Sequence, residues 1–116
     1  MRKRLLSLLF LSLYGSMLFA QEPLDINDVE RVPLGDFTYQ WRNIYDRTPL
    51  HGKCRIILSY RSYTIAHFNK DGILDGLYEK YEDNHLVQKL TYVKGILRGK
   101  GYEYYTDGTV KKECVW

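Results

Sequence analysis

Three imidazoles, His51, His67 and His85, are the residues of this chain best suited to proton transfer or metal binding. Either task needs two or more such groups to converge, and close ligand spacing is the usual sign of that in a sequence. Here the three fall in a connector, a strand and a turn, with no short metal spacing among them. HExxH, paired CxxC, GxSxG and phosphate-loop patterns are all missing from the chain. Glu82-Asp83 and the pair Asp71 and Asp75 have the composition of an acid/base or calcium pair, yet they lie in stretches that read as solvated turns. The expectation is a non-enzyme with no catalytic residue, metal ligand or cofactor.

Tyrosine is the more informative chemistry. The chain holds 11 tyrosines, and Tyr60, Tyr63, Tyr78, Tyr81, Tyr92, Tyr102, Tyr104 and Tyr105 crowd its second half. A tyrosine offers a large contact area at low entropic cost and a hydroxyl that can hydrogen-bond, which suits a protein interface. Sheet propensity and core packing would also select tyrosine. Tyr78, Tyr81, Tyr92, Tyr102, Tyr104 and Tyr105 are the candidate binding residues. Successive side chains of a strand point to opposite faces, so Tyr104 and Tyr105 cannot both be buried in a one-layer sheet. One of them belongs to an exposed aromatic surface, with Tyr81 the expected neighbour of Tyr104.

The elements that position these residues follow from a repeat. GILDGLYEKY begins at Gly72 and GILRGKGYEY at Gly95, twenty-three residues later. Three segments share a landmark: PLHG at Pro49, ILDG at Ile73 and ILRG at Ile96, with glycines Gly52, Gly76 and Gly99. After each glycine comes a strand-like run, a polar break and a second strand-like run. Turns are expected near Arg61-Ser62, at Asn84-His85 and at Asp107-Gly108, because Asn and Gly supply the positive φ of a tight hairpin. Counting from the landmark glycines aligns Ile57 with Tyr81 and Tyr104, Tyr63 with Val87 and Val110, and Phe68 with Tyr92 and Val115. Each unit therefore reads as a β-hairpin too small to bury its own apolar face, made stable by stacking on the next. The predicted fold class is all-β: an open antiparallel meander of about three repeated β-hairpins over 48–116, with an N-terminal arm and capping segment over 21–47. Within that segment PLGDFTYQWRNIYDR, which alternates Phe37, Tyr39 and Trp41 on one face, reads as a capping strand pair or a decayed repeat, and LDINDVERV as a short helix or an extended arm.

The aromatic strand after G-x-Y/W, the N/D-G break, the Leu/Val-Lys-rich strand and N-G-x-L-x-G resemble the MORN-repeat variant of the YwqK-like antitoxin proteins. The resemblance covers roughly Pro49 to Trp116. This chain places His85 where the family favours a turn glycine and Gly101 where it favours an aromatic, and its first unit lacks the hairpin glycine. The resemblance implies an elongated single-layer sheet used as a binding surface, with no catalytic residues to carry over.

The first twenty residues stand outside the repeats. Arg2, Lys3 and Arg4, the apolar run LLSLLFLSLYGSMLF, and Ala20 before QEP have the layout of a secretory signal peptide over 1–20. The competing reading is an uncleaved anchor, since about 17 apolar residues is the shortest span of a bilayer. With no cysteine at the cleavage region, a lipoprotein-type anchor has no attachment point there. Three of the chain's 17 Lys and Arg lie in the leader, leaving 14 against 14 Asp and Glu. A neutral mature chain gives nucleic-acid binding no compositional support.

These observations lead to a periplasmic or secreted, non-enzymatic protein-binding module of the cell envelope. A toxin-neutralising immunity or antitoxin-like role would fit it. The alternatives are a structural envelope protein associating through its sheet edges, and a binder of glycans or lipid surfaces. Cys54 and Cys114 test the architecture. Five strand steps of an open meander separate them by roughly 24 Å, whereas a disulfide needs Cα atoms within about 7 Å, so both are expected as thiols. For the leader, N-terminal sequencing of the exported protein is expected to begin at Gln21, and retention of Met1 on a cytosolic product would remove the envelope assignment.

Overall fold

The computed structural model describes residues 22–116, so the predicted leader lies outside the described residues. The strands are β1 (Leu24–Asp25), β2 (Val29–Gly35), β3 (Thr38–Asn43), β4 (Gly52–Ser59), β5 (Ser62–Phe68), β6 (Leu74–Glu82), β7 (His85–Val93), β8 (Ile96–Leu97), β9 (Lys100–Tyr104) and β10 (Val110–Val115). One sheet runs β1-β4-β5-β6-β7-β9-β10, with β8 paired to β7, and β2-β3 form a separate hairpin. The three expected hairpins are β4-β5, β6-β7 and β9-β10, each antiparallel to the next, while β1 lies parallel to β4 at one edge. β1 and β10 stand at opposite ends of the strand order, so the sheet is an open meander and not a barrel.

Turn chemistry differs from the expectation at two places. The tight turn of the second hairpin is Asp83-Asn84, with φ of 51° and 64°, and His85 opens β7 opposite Glu82. Both Asp and Asn tolerate this left-handed conformation, so the turn sits one residue earlier than Asn84-His85. In the third hairpin only Gly108 takes a positive φ, 93°. Asp107 instead accepts from the Thr109 N–H (2.9 Å) and hydroxyl (2.7 Å), and the Tyr105 N–H donates to the Thr109 carbonyl (2.9 Å). That local bonding opens the connection into a wider loop spanning 105–109 in place of a two-residue turn.

The ladder of landmark positions holds in two units and shifts in the third. Gly52 lies opposite Phe68 and Gly76 opposite Tyr92. A register shift between Val110 and Lys112 moves the rest of β10 by one residue. Gly99 consequently exchanges backbone hydrogen bonds with Trp116 (3.1 and 2.8 Å), and Val115 pairs with Lys100 and is exposed. The same shift brings the Trp116 ring over Gly101. A Cβ at Gly101 would sit 2.5 Å from the Trp116 ring and 2.8 Å from Leu90. The indole thus leaves no room for a side chain at position 101.

The core lies on one face of β4, β5 and β6. Cys54, Ile56, Ala66, Phe68 and Leu74 are buried there, joined by Leu50 and by the buried Thr64. Residues 22–43 supply the cover: Leu24, Ile26, Val29 and Trp41 pack against this cluster. The expected single layer is therefore doubled over its first two units. LDINDVERV resolves into β1, a 3-10 turn at Ile26–Asp28 capped by the Asp25 carboxylate accepting from the Asn27 N–H (2.8 Å), and the start of β2. Phe37 sits in the β2-β3 turn at φ 65°, ahead of the strand that carries Tyr39 and Trp41, and is 93% exposed, yet it lines the same groove as those two residues.

The cover is fastened chiefly through Trp41. Its ring meets Phe68 at 5.5 Å, its N–H donates to the Gly72 carbonyl (2.7 Å), and its carbonyl accepts from the Leu50 N–H (3.0 Å). Gln40 donates to the Asp71 carbonyl at 3.0 Å beside it. Gly72, at φ 78°, has no room for a side chain here, since a Cβ would fall 2.5 Å from the Trp41 oxygen. Gly95 meets the same strand at Thr38, where a Cβ would fall 2.9 Å from the methyl group.

Cys54 on β4 and Cys114 on β10 are not joined by a disulfide, and the sheet order puts five strand steps between them. Burial raises the Cys54 thiol above the ordinary range and shields it, while Cys114 is half-buried. Alkylation of the folded protein is therefore expected to label Cys114 first and Cys54 only on denaturation. Non-reduced, denatured protein should carry two adducts by mass spectrometry; a bridged pair would carry none.

Candidate functional site

The sheet has two faces of different character, and strand parity distributes the tyrosines between them. Cross-strand pairing sets Cys54, Ala66, Tyr78 and Leu90 in one row on the covered face. Tyr78 and Tyr92 meet edge to face there, with centroids 5.9 Å apart, and both pack on the core. Burial is the main cause that raises both phenols above the usual tyrosine range. These two candidate residues are structural supports first.

On the opposite face, Ile57, Tyr63 and Tyr81 lie directly across from one another on β4, β5 and β6. Tyr63 and Tyr81 stack at 5.0 Å with their planes 12° apart. The Arg55 guanidinium lies over Tyr63 at 4.4 Å, which extends the stack to three groups. A second stack, Tyr102 with Tyr104 at 6.0 Å, stands on β9. The expected contact of Tyr81 with Tyr104 does not form, because β7 lies between their strands. Tyr105 leaves β9 at the loop and is 53% exposed. Tyr81, Tyr102, Tyr104 and Tyr105 are thus the candidates with accessible surface.

A second row crosses the whole open face: Arg55, Ile65, Glu79, Lys89, Tyr102 and Glu113. Opposite charges alternate along its far half, with Glu79 across from Lys89, and Glu113 also meets Lys100 at 3.5 Å. At the turn end, Arg61 and Asp83 form an ion pair, and the Asp83 N–H donates to the Arg61 carbonyl at 2.8 Å, which ties the first two hairpin turns together. Beside that tie is a cleft of about 330 Å³ lined by Arg55, Tyr60, Arg61, Tyr63, Asp83 and Asn84. A wider groove of about 470 Å³ lies between the covering hairpin and β7-β8, with Arg31, Tyr39, Trp41, Tyr92 and Leu97 in its walls. Arg31 lies 5.5 Å from the ring centroids of both Tyr39 and Trp41.

Arg55 and its cleft were not foreseen from the sequence. The signal was the arginine three residues past Gly52, but its stacking partner is on the next strand, and only the register reveals it. The histidines do not converge: His51 precedes β4, His67 is on β5 and His85 starts β7. Among the described residues, no group of three or more His, Cys, Asp or Glu could hold a metal ion. Among the same residues, no helix is long and apolar enough to cross a membrane.

No family model matches the chain, and no curated protein matches it. Among solved structures, it is similar to the S. aureus TarM G117R mutant in complex with Fondaparinux, alpha-GlcNAc-glycerol and UDP, with a TM-score of 0.31 and 16% identity. The match covers 76% of this chain and 20% of that one, and a likeness at this level carries no assignment of activity.

The two faces predict different mutational costs. Tyr78→Ala is expected to lower stability by about 2–3 kcal/mol through lost core packing, and Tyr81→Ala by less than about 1 kcal/mol, measured by urea unfolding. Because the folded-state pKa values of Tyr78 and Tyr92 are raised, their contribution is fully present below the unfolded tyrosine value of about 10. It is lost as pH rises through the folded values. Stability is therefore expected to fall on the alkaline side, and less steeply in Tyr78→Phe.

Proposed function

We propose that the chain is an exported, non-enzymatic repeat module of the cell envelope that binds a protein partner through the open face of its sheet. An immunity or antitoxin-like role is the form of that activity which the resemblance to MORN-variant proteins suggests. The observation that carries the reading is the pair of aromatic stacks, Arg55–Tyr63–Tyr81 and Tyr102–Tyr104, on a face that no described segment covers. Rigid, half-buried aromatics with polar tips lose little entropy on binding, which is why they dominate interface energetics. On this face Glu79 lies opposite Lys89 and Glu113 meets Lys100 at 3.5 Å.

One observation favours a second reading, association through sheet edges. β10 is an edge strand whose inward hydrogen bonds are made at Trp116, so the alternate residues Glu113 and Val115 present backbone groups outward. An unpaired edge can accept another strand. The adjacent Lys111 and Lys112 are the kind of charge that limits such pairing.

Alanine at both Tyr81 and Tyr104 is expected to weaken partner capture from periplasmic extract by about 2 kcal/mol or more per residue, with the β circular dichroism signal kept. Undiminished capture by the folded double variant would overturn the assignment of this face.

A further inference from the structure

The charges of the open face are matched at one end and unmatched at the other. Lys89 faces Glu79, and Lys100 meets Glu113. On β4, Lys53 lies across from His67 and Arg55 across from Ile65, and no carboxylate pairs with Arg55 among the described residues. The wider balance agrees, because Thr48 to Trp116 holds eight acids and eleven bases.

Arg55 has the closer of the two arginine–ring contacts in this cleft, 4.4 Å to Tyr63 against 6.0 Å for Arg61 over Tyr60, and Tyr63 is itself stacked on Tyr81. A stacked guanidinium keeps its N–H fork at its edge, where it matches a carboxylate in bidentate fashion. Its cleft holds a second guanidinium, Arg61, and the hydroxyls of Ser59 and Ser62. Asp83, the only acid in the cleft wall, is already engaged by Arg61. The exposed Tyr60 ring forms the rim.

We infer that this cleft seats a carboxylate side chain from an acidic, extended segment of the partner, an inference that rests on the protein-binding reading above. Arg55 grips the carboxylate, the two serine hydroxyls and Arg61 supply further donors, and the segment runs from there along the tyrosines. Specificity for acid over amide comes from Arg55 having no acid of its own to neutralise it.

The test uses a labelled hexaglutamate peptide at low salt, followed by fluorescence anisotropy, with hexaglutamine as the neutral control. Hexaglutamate is expected to bind and hexaglutamine not to. Arg55→Gln should weaken hexaglutamate binding about tenfold. Arg55→Lys, which keeps the charge but loses the fork, should fall between. Arg98→Gln, an exposed arginine away from the cleft, should leave binding within about twofold. Equal losses in Arg55→Gln and Arg98→Gln would mean diffuse charge attraction and overturn the inference, as would equal binding of the two peptides. In partner capture, full retention by Arg55→Gln alongside loss in the Tyr81/Tyr104 double variant would remove this inference and leave the proposed function standing. Retention by both variants would remove the proposed function itself.

Discussion

The fold depends on a seam at Trp41. A β-hairpin has one apolar face and nothing of its own to bury it against, so a row of hairpins gains edge pairing without gaining a core. Residues 22–43 solve this by folding back over β4, β5 and β6, and the Trp41–Phe68 contact at 5.5 Å is where the two layers meet. Burying a large apolar side chain is worth roughly 1.5–3 kcal/mol, and the largest fully buried side chains, Ile56, Thr64 and Cys54, all lie beneath that cover. The third hairpin lacks it. Its own substitute is Trp116, whose ring fills the space above Gly101.

The cover also decides which face can do anything else. Once one side of the sheet is occupied, residues of opposite strand parity become the accessible ones, so tyrosines of the same type acquire different roles. Tyr78 and Tyr81 are three residues apart on one strand. The first packs on the core and the second joins the outer stack. The outer face carries two aromatic stacks and the cross-strand Lys100–Glu113 ion pair, and the turns of the first two hairpins are tied by Arg61 and Asp83. A surface of this kind can present aromatics without first having to order them.

Much of this architecture was legible in the residues. The recurring L-x-G landmarks announce three hairpins because glycine at φ 76°, 123° and 73° is required where each new strand begins or bends. The cysteine separation followed from counting strands. What failed to show was anything set by one-residue registers or by distant packing. The Asp83-Asn84 turn and the Val110–Lys112 shift each move a ladder by a single position, and no composition signal marks them. Phe37 read as part of the strand of Tyr39 and Trp41 because a turn with non-glycine residues at positive φ was not anticipated there. The binding candidates were half-legible: tyrosine content marked the surface, but its division between faces needed the covering segment, and Arg55 needed the register.

The way the cover is attached has a consequence for how sequence change is tolerated. Trp41 holds Gly72 and Leu50 through its own N–H and carbonyl, and the neighbouring Gln40 reaches a carbonyl at Asp71. The two Trp41 bonds are peptide against peptide and survive truncation of side chains along β3, whereas the Gln40 bond and the Trp41–Phe68 ring contact do not. The vulnerable points are the small residues on the other side, Gly72 and Gly95, where one added carbon would push the layers apart. Part of the joint is therefore encoded by what is missing from the sequence, so drift can rewrite the exposed positions of the covering hairpin while Trp41 and two connector glycines hold its place.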